Sequence, residues 1–374
     1  MFPAVIRKVV MNPIEAPFRD RALVDALAGE IRKLSEDLDT VRIMHVCGTH
    51  EHEIARTGLR QLLPENLTII PGPGCPVCIT PASYIETAIS LSLSDEKPVV
   101  CTYGDMVRVP GPNGSLLEAR GRGADIRIIY GVRDALAAAE TERKKPVVFF
   151  SVGFETTAAP VAAVITGGLP DNLFIYPCHR YVPPAVEALV SLADDIDGFL
   201  LPGHASVITG TGPYRKVAES FGKAAAVGGF EPVDILTALL SIVRQVKSGR
   251  PAVTNCYRRA VRDGGNVRAM ESIGMVFRRA DADWRGLGIL PGTGLELSGL
   301  YEHLDARNRF GISQADEVED AGGCRCHEVL LGKISPSDCA LFSVACTPMQ
   351  PKGPCMVSGE GTCRAAFLYP EVAG

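Results

Sequence analysis

PVVFFSV (146–152), running straight into GFETTAAP (153–160), is the stretch that decides the fold. A short continuous run of β-branched and aromatic residues, bounded by a charged stretch and by glycine before a helix start, reads as a buried strand feeding a helix. The same pattern recurs on both sides. VRIMHV (41–46), LTII (67–70), PVVCT (98–102) and DIRIIY (125–130) precede it, and LFIYP (173–177) and GFLLP (198–202) follow. Strand runs alternating with helical stretches predict an α/β protein of parallel sheets with crossover helices. The charged residues Glu140 to Lys145 separate two sets of strands, so we expect two tandem α/β domains, 40–145 and 146–256, with a cleft between them. Leu23, Leu27, Ile31 and Leu34 predict an amphipathic helix from about Asp20 to Leu38. From about Tyr257 the periodicity weakens and Gly and Pro become frequent. Residues 1–39 and 257–374 are assigned to a third, less regular domain, which holds a cysteine-rich segment.

Composition narrows the function. The chain has 374 residues, 46% hydrophobic and 22% charged, enough for two or three cores. A net charge of −5 leaves no excess for gripping a phosphate backbone, so nucleic acid is not an expected partner. Arg7 and Lys8 interrupt the apolar start, and no uncharged apolar run reaches the roughly 18 residues of a membrane helix, so a membrane is not expected either. A cytoplasmic protein is the expectation. Twelve cysteines in such a chain point to metal ligation or redox chemistry, because the cytosol keeps structural thiols reduced.

Six of them fall in GGCRCHEVLLGKISPSDCALFSVACTPMQPKGPCMVSGEGTC (322–363): Cys324, Cys326, Cys339, Cys346, Cys355 and Cys363. Thiolates at this density suit an iron–sulfur cluster or zinc. Zinc ribbons use compact Cys-x2-Cys pairs, which are missing here, so a buried cluster held by four of the six is favoured over zinc and over inert core cysteines.

Ligands of parallel α/β sheets bind outside the carboxyl ends of the strands. There the chain places CGTHEHEI (47–54), PGPGCPVCITP (71–81), YGDMVRVPG (103–111) and GFETTAAP, then Cys178 with His179, and His204. Cys47 falls where a helix N-terminus would stabilise a thiolate, with His50 and His52 nearby, an arrangement for metal ligation or nucleophilic sulfur. A buried small residue in a tight turn is the plain alternative. Cys75 and Cys78 have the spacing of a thiol–disulfide pair, preferred here to half a zinc site. In GFETT, Glu155 has a carboxylate's chemistry, although Thr156 or Thr157 could simply cap a helix. TGTGPYRKVAES (209–220) lacks the full patterns of a nucleotide loop, and nucleotide binding is unsupported.

Together CGTHEHEI, GPGCPVCITP, YGDMVRVPG, GFETTAAP, GFEPVDIL, WRGLGILPGTGL and CMVSGEGTC, spread from about Phe18 to Tyr369, resemble the HypD family, which helps to build the Fe(CN)2CO group of [NiFe] hydrogenases. The resemblance implies a [4Fe–4S] cluster on Cys324, Cys339, Cys346 and Cys363, with Cys326 and Cys355 left as a possible redox pair. It implies Cys47 as ligand of the iron that receives cyanide and carbon monoxide, Cys75 and Cys78 as a mobile dithiol, His50 as an active-site histidine and Glu155 as part of a third cleft motif. The implied partners are the small chaperone HypC, sharing the iron through its N-terminal cysteine, and HypE, a transient donor of thiocyanate-derived cyanide. The expected role is a redox-active assembly scaffold rather than a turnover enzyme, with the cluster as electron supply. An autonomous disulfide reductase and an iron-storage or purely structural cluster protein are the alternatives.

Overall fold

Each apolar run read above as a strand is one in the computed structural model, which describes residues 16–193, 195–315 and 322–370. The strands are β1 (Val41–His45), β2 (Leu67–Pro71), β3 (Val99–Thr102), β4 (Asp125–Ile128), β5 (Val147–Gly153), β6 (Leu173–Arg180), β7 (Gly198–Pro202), β8 (Ala224–Gly228), β9 (Val253–Asn255), β10 (Phe277–Trp284) and β11 (Gly288–Leu297). The helices that matter here are α1 (Arg21–Ser35), α2 (Gly48–Thr57), α3 (Glu155–Thr166), α4 (Val182–Leu192), α5 (Pro232–Ser248), α6 (Cys326–Leu330) and α7 (Thr362–Leu368). α1 is capped by Asp20, whose carboxylate accepts from the backbone N–H groups of Ala22 and Leu23.

Two sheets result. The first has the order β2-β1-β7-β8-β9 and is parallel throughout. The second has the order β10-β11-β6-β5-β3-β4, in which β6, β5, β3 and β4 are parallel and the β10–β11 hairpin adds antiparallel to β6. Every residue of β5 is buried, which explains an apolar run without alternation.

The sheets do not coincide with the expected division at residues 145 and 146. β3 and β4 lie in the first span, yet β3 pairs with β5 (Val99 opposite Val147); β7 lies in the second, yet it pairs with β1 (Ile43 opposite Gly198). The chain leaves the first sheet after β2, builds the parallel part of the second, and returns through α4. A buried parallel strand looks the same whichever sheet receives it, so local composition does not carry this information.

The ends of the chain also depart from expectation. α1 packs on α5 of the first sheet, with Val24 and Ile31 in one core with Leu236, Leu239 and Ile242, so residues 16–39 belong with that sheet rather than with the cysteine-rich segment. Residues 277–297 are regular: β10 escapes a hydrophobic scan because the exposed Arg278, Arg279 and Asp281 interrupt its apolar positions. The cysteine-rich segment has only short helices and packs on the second sheet, with Cys326, Cys355 and Leu330 in one core with Phe150, Tyr176 and Trp284. Among the described residues no helix is long and apolar enough to cross a membrane.

Candidate functional site

Cys47 is the N-cap of α2, just past the carboxyl end of β1, and is 7% exposed. Two glycines let two distant segments close onto it. The Gly48 N–H donates to the Gly74 carbonyl at 3.0 Å, and a Cβ on Gly74 would overlap the backbone of Cys47, so only glycine lets the Gly72–Cys75 loop lie against this turn. A Cβ on Gly48 would sit 2.5 Å from the Cβ of Glu360. The Thr49 hydroxyl then donates to Glu360 Oε1 at 2.9 Å, tying the cysteine-rich segment to α2.

The expected effect of the helix start on the thiol is present and is outweighed. Burial, helped by the Glu360 charge, pushes Cys47 up to about 12, against the backbone N–H groups of His50 and Thr49 that favour its thiolate. Glu360 is itself raised by burial.

His50 points to the β8 turn. Its Nε2–H donates to the Gly229 carbonyl at 2.9 Å and its ring lies 4.9 Å from that of Phe230, on which His204 also stacks at 3.9 Å. Burial, then the neighbouring His45, hold its pKa down at about 3, so it is a neutral imidazole. Beneath α2, His45 Nε2 donates to Glu51 Oε2 at 2.7 Å and Arg60 Nη2 to the same oxygen at 2.6 Å. Burial raises the Glu51 carboxyl, but Arg60 and His45 win and leave it at about 2. His52 sets its ring edge-on to Tyr369 of the cysteine-rich segment at 5.4 Å.

Cys75 and Cys78 are joined as a buried disulfide. They share a core with Cys178, Cys326 and Cys355, with the half-buried Cys324 and Cys363 packed against it. All six C-terminal cysteines line one small pocket, together with Leu341, Phe342 and Met356. Backbone N–H groups reach into it: Lys352 donates to Cys346 Sγ and Cys363 to Cys355 Sγ, each at 3.3 Å. The two thiols set aside as a pair do not hydrogen-bond each other; Cys326 bonds Cys324 and Cys355 bonds Cys363. Among the described residues no three His, Cys, Asp or Glu side chains are gathered to hold one metal ion.

Glu155 stands apart from these. It is the first residue of α3 and fully buried; the Val182 N–H at the start of α4 donates to its Oε1 at 2.7 Å, and Oε2 has no hydrogen-bond partner among the described residues. Burial raises its carboxyl to about 7. Neither Thr156 nor Thr157 caps α3, whose N-cap is Phe154.

Three features escaped the sequence reading: Glu360 on Cys47, the His45–Glu51–Arg60 chain, and Arg285, whose backbone N–H donates to the carbonyl of Ile79, next to Cys78, at 2.9 Å. Glu360 and Arg285 do lie in CMVSGEGTC and WRGLGIL, but a single charged residue in a glycine-rich run does not announce its partner.

A family model described as "HypD: Hydrogenase formation hypA family" matches residues 22–370. A putative hydrogenase expression/formation protein of Methanocaldococcus jannaschii is 44% identical over 356 residues, 94% of this chain and 99% of the relative. The hydrogenase maturation factor HypD of Cupriavidus necator is 40% identical over 364 residues, 94% of this chain and 96% of the relative. That of Escherichia coli is 40% identical over 367 residues, 96% of this chain and 98% of the relative.

Proposed function

The chain belongs to the HypD family of hydrogenase maturation factors, and from that premise we propose that it is a redox-active scaffold on which the Fe(CN)2CO group of a [NiFe] hydrogenase is assembled. The observation that carries this reading is the convergence of the Cys47 turn, the Cys75–Cys78 loop and Glu360. A thiol pushed up to about 12 is a poor free nucleophile at neutral pH. A bound metal ion supplies the missing positive charge and displaces the thiol proton. Cys47 thus suits ligation of an iron atom that arrives as cargo, and Glu360, held by the Thr49 hydroxyl, is the carboxylate in position to take that proton. A HypC-type chaperone would share the iron and a HypE-type donor would dock transiently to bring cyanide. Opening the Cys75–Cys78 disulfide takes up two electrons and two protons, and the resulting dithiol is a two-electron reductant next to the iron ligand.

Cys324, Cys339, Cys346 and Cys363 fit a [4Fe–4S] cluster: they line one cavity, with apolar side chains around it and a backbone N–H aimed at Cys346. When bound, such a cluster supplies one-electron redox chemistry. Cys326 and Cys355 line the same cavity as spare thiols.

Anaerobic copurification with the small chaperone tests the reading. Infrared bands of iron-bound cyanide and carbon monoxide are expected, and Cys47→Ala should abolish them while leaving the brown visible absorption intact. Loss of both would overturn the separation of iron carrier from cluster. The closed disulfide in one core with Cys326 and Cys355 favours a second reading, an autonomous disulfide reductase. Turnover of a disulfide substrate without any partner would select it.

A further inference from the structure

The turn 358–361 of the cysteine-rich segment is fastened to both sheets. On the first, Glu360 lies against the Cys47 turn and accepts from the Thr49 hydroxyl, just past the carboxyl end of β1. On the second, the Gly359 N–H donates to Asp105 Oδ2 at 3.3 Å. Asp105 follows β3 in the short helix Gly104–Val107. Its next two residues, Met106 and Val107, are buried in the core that holds Cys75, Cys78, Cys326 and Cys355, so packing fixes the backbone from which the half-buried carboxylate reaches the turn. β1 and β3 belong to different sheets, and the turn therefore spans the carboxyl edges of both.

The turn has little slack of its own. The Glu360 N–H donates to the Ser358 hydroxyl at 3.2 Å, and the Gly361 N–H to the Ser358 carbonyl at 3.1 Å. A Cβ on Gly361 would sit 2.0 Å from the carbonyl oxygen of Cys355, so the downstream end is pressed onto the cysteine-rich pocket. A stiff turn held at two points keeps Glu360 on the Cys47 turn, whereas one held only at Thr49 can swing about that bond. A carboxylate that accepts a backbone N–H makes a charge-assisted bond, and its loss is large enough to raise the open population about fivefold.

We propose that Asp105 is a positioning residue for the Cys47 site: through the Gly359 N–H it ties the turn 358–361 across both sheets and so holds Glu360 in place beside Cys47. Its part in iron handling rests on the reading of Cys47 as the iron ligand given above. Asparagine keeps an oxygen that accepts the Gly359 N–H and removes the negative charge that Glu360 feels from Asp105, so it separates the bond from the charge. Alanine removes both.

Full-length wild type, Asp105→Ala and Asp105→Asn, purified anaerobically, are treated with iodoacetamide, and initial rates at Cys47 and Cys101 are read by peptide mass. Cys101 is buried in β3, directly before the short helix, and reports any general loosening around Asp105. Cys47 should react about fivefold faster in Asp105→Ala with Cys101 unchanged, and Asp105→Asn should be no more than about twofold faster than wild type. An unchanged Cys47 rate in Asp105→Ala overturns the proposal. So does a Cys101 rate that rises as far as that of Cys47, or an asparagine variant as reactive as the alanine one. Amide hydrogen exchange in the peptide covering 356–362 should quicken in Asp105→Ala alone, and unchanged exchange overturns the tie. After copurification with the small chaperone, infrared bands of iron-bound cyanide should be weaker in Asp105→Ala than in Asp105→Asn, and equal bands overturn the positioning role. Wild type without those bands overturns the reading of Cys47 as iron carrier, whereas wild type with them and an indifferent Asp105 overturns this inference alone.

Discussion

His50 and His179 are both held down at about 3 by burial, His179 with its Nε2 on the Ser151 hydroxyl at 2.8 Å. Unfolded, each takes up a proton below about 6.5, so the stability they contribute is present above that value and drains as pH falls toward 3. Each loses on the order of 1 kcal/mol between pH 7 and 5.5. Glu155 works in the opposite sense: with its carboxyl raised to about 7, its contribution is complete below about 4.5 and is lost as pH rises through 7. Over the same acid interval it returns an amount of the same order as one histidine loses, less than the two remove together. Urea midpoints should therefore be lower at pH 5.5 than at pH 7, and Glu155→Gln should steepen that fall and gain most over wild type at pH 8. Cys47 shows what can be read at this scale. Its place at a helix start was legible in CGTHEHEI and is correct, whereas the sign of its thiol shift was not, because the burial that decides it involves Glu360, 311 residues beyond its partner Thr49.

At the scale of elements, the glycines of the Cys47 turn carry the prediction. Gly74→Ala must move backbone rather than a flexible side-chain tip, and should cost about 1–3 kcal/mol, read as a lower melting temperature. Gly29→Ala in α1 meets nothing within 4 Å and should stabilise by about 0.5–1 kcal/mol in the same assay. The runs PVVFFSV and GFLLP announced their strands because every position of β5 and of β7 is buried. β8 is equally buried but is spelled AAAVG, and alanine has little β-propensity to signal it. The three-residue β9 is too short for any period to show.

For the molecule as a whole, the interleaved sheets predict how it comes apart. A fragment of residues 40–145 holds β1 and β2 without β7, and β3 and β4 without β5, so each sheet lacks its central neighbour. It should show no cooperative unfolding transition by circular dichroism, and the remainder, 146–374, should fare no better; a two-state transition in either would contradict the topology. That two α/β sheets exist was written in the alternation of strand and helix, whereas which strands share a sheet depends on contacts of long sequence separation that no window of residues contains. The contact of Glu360 with the Cys47 turn also bears on time. A ribosome delivers the chain from its N-terminus, so the turn that carries the thiol read here as the iron carrier emerges 311 residues ahead of the Glu360 that closes on Thr49. The enclosure of Cys47 therefore waits on the synthesis of a segment made long after the turn it covers.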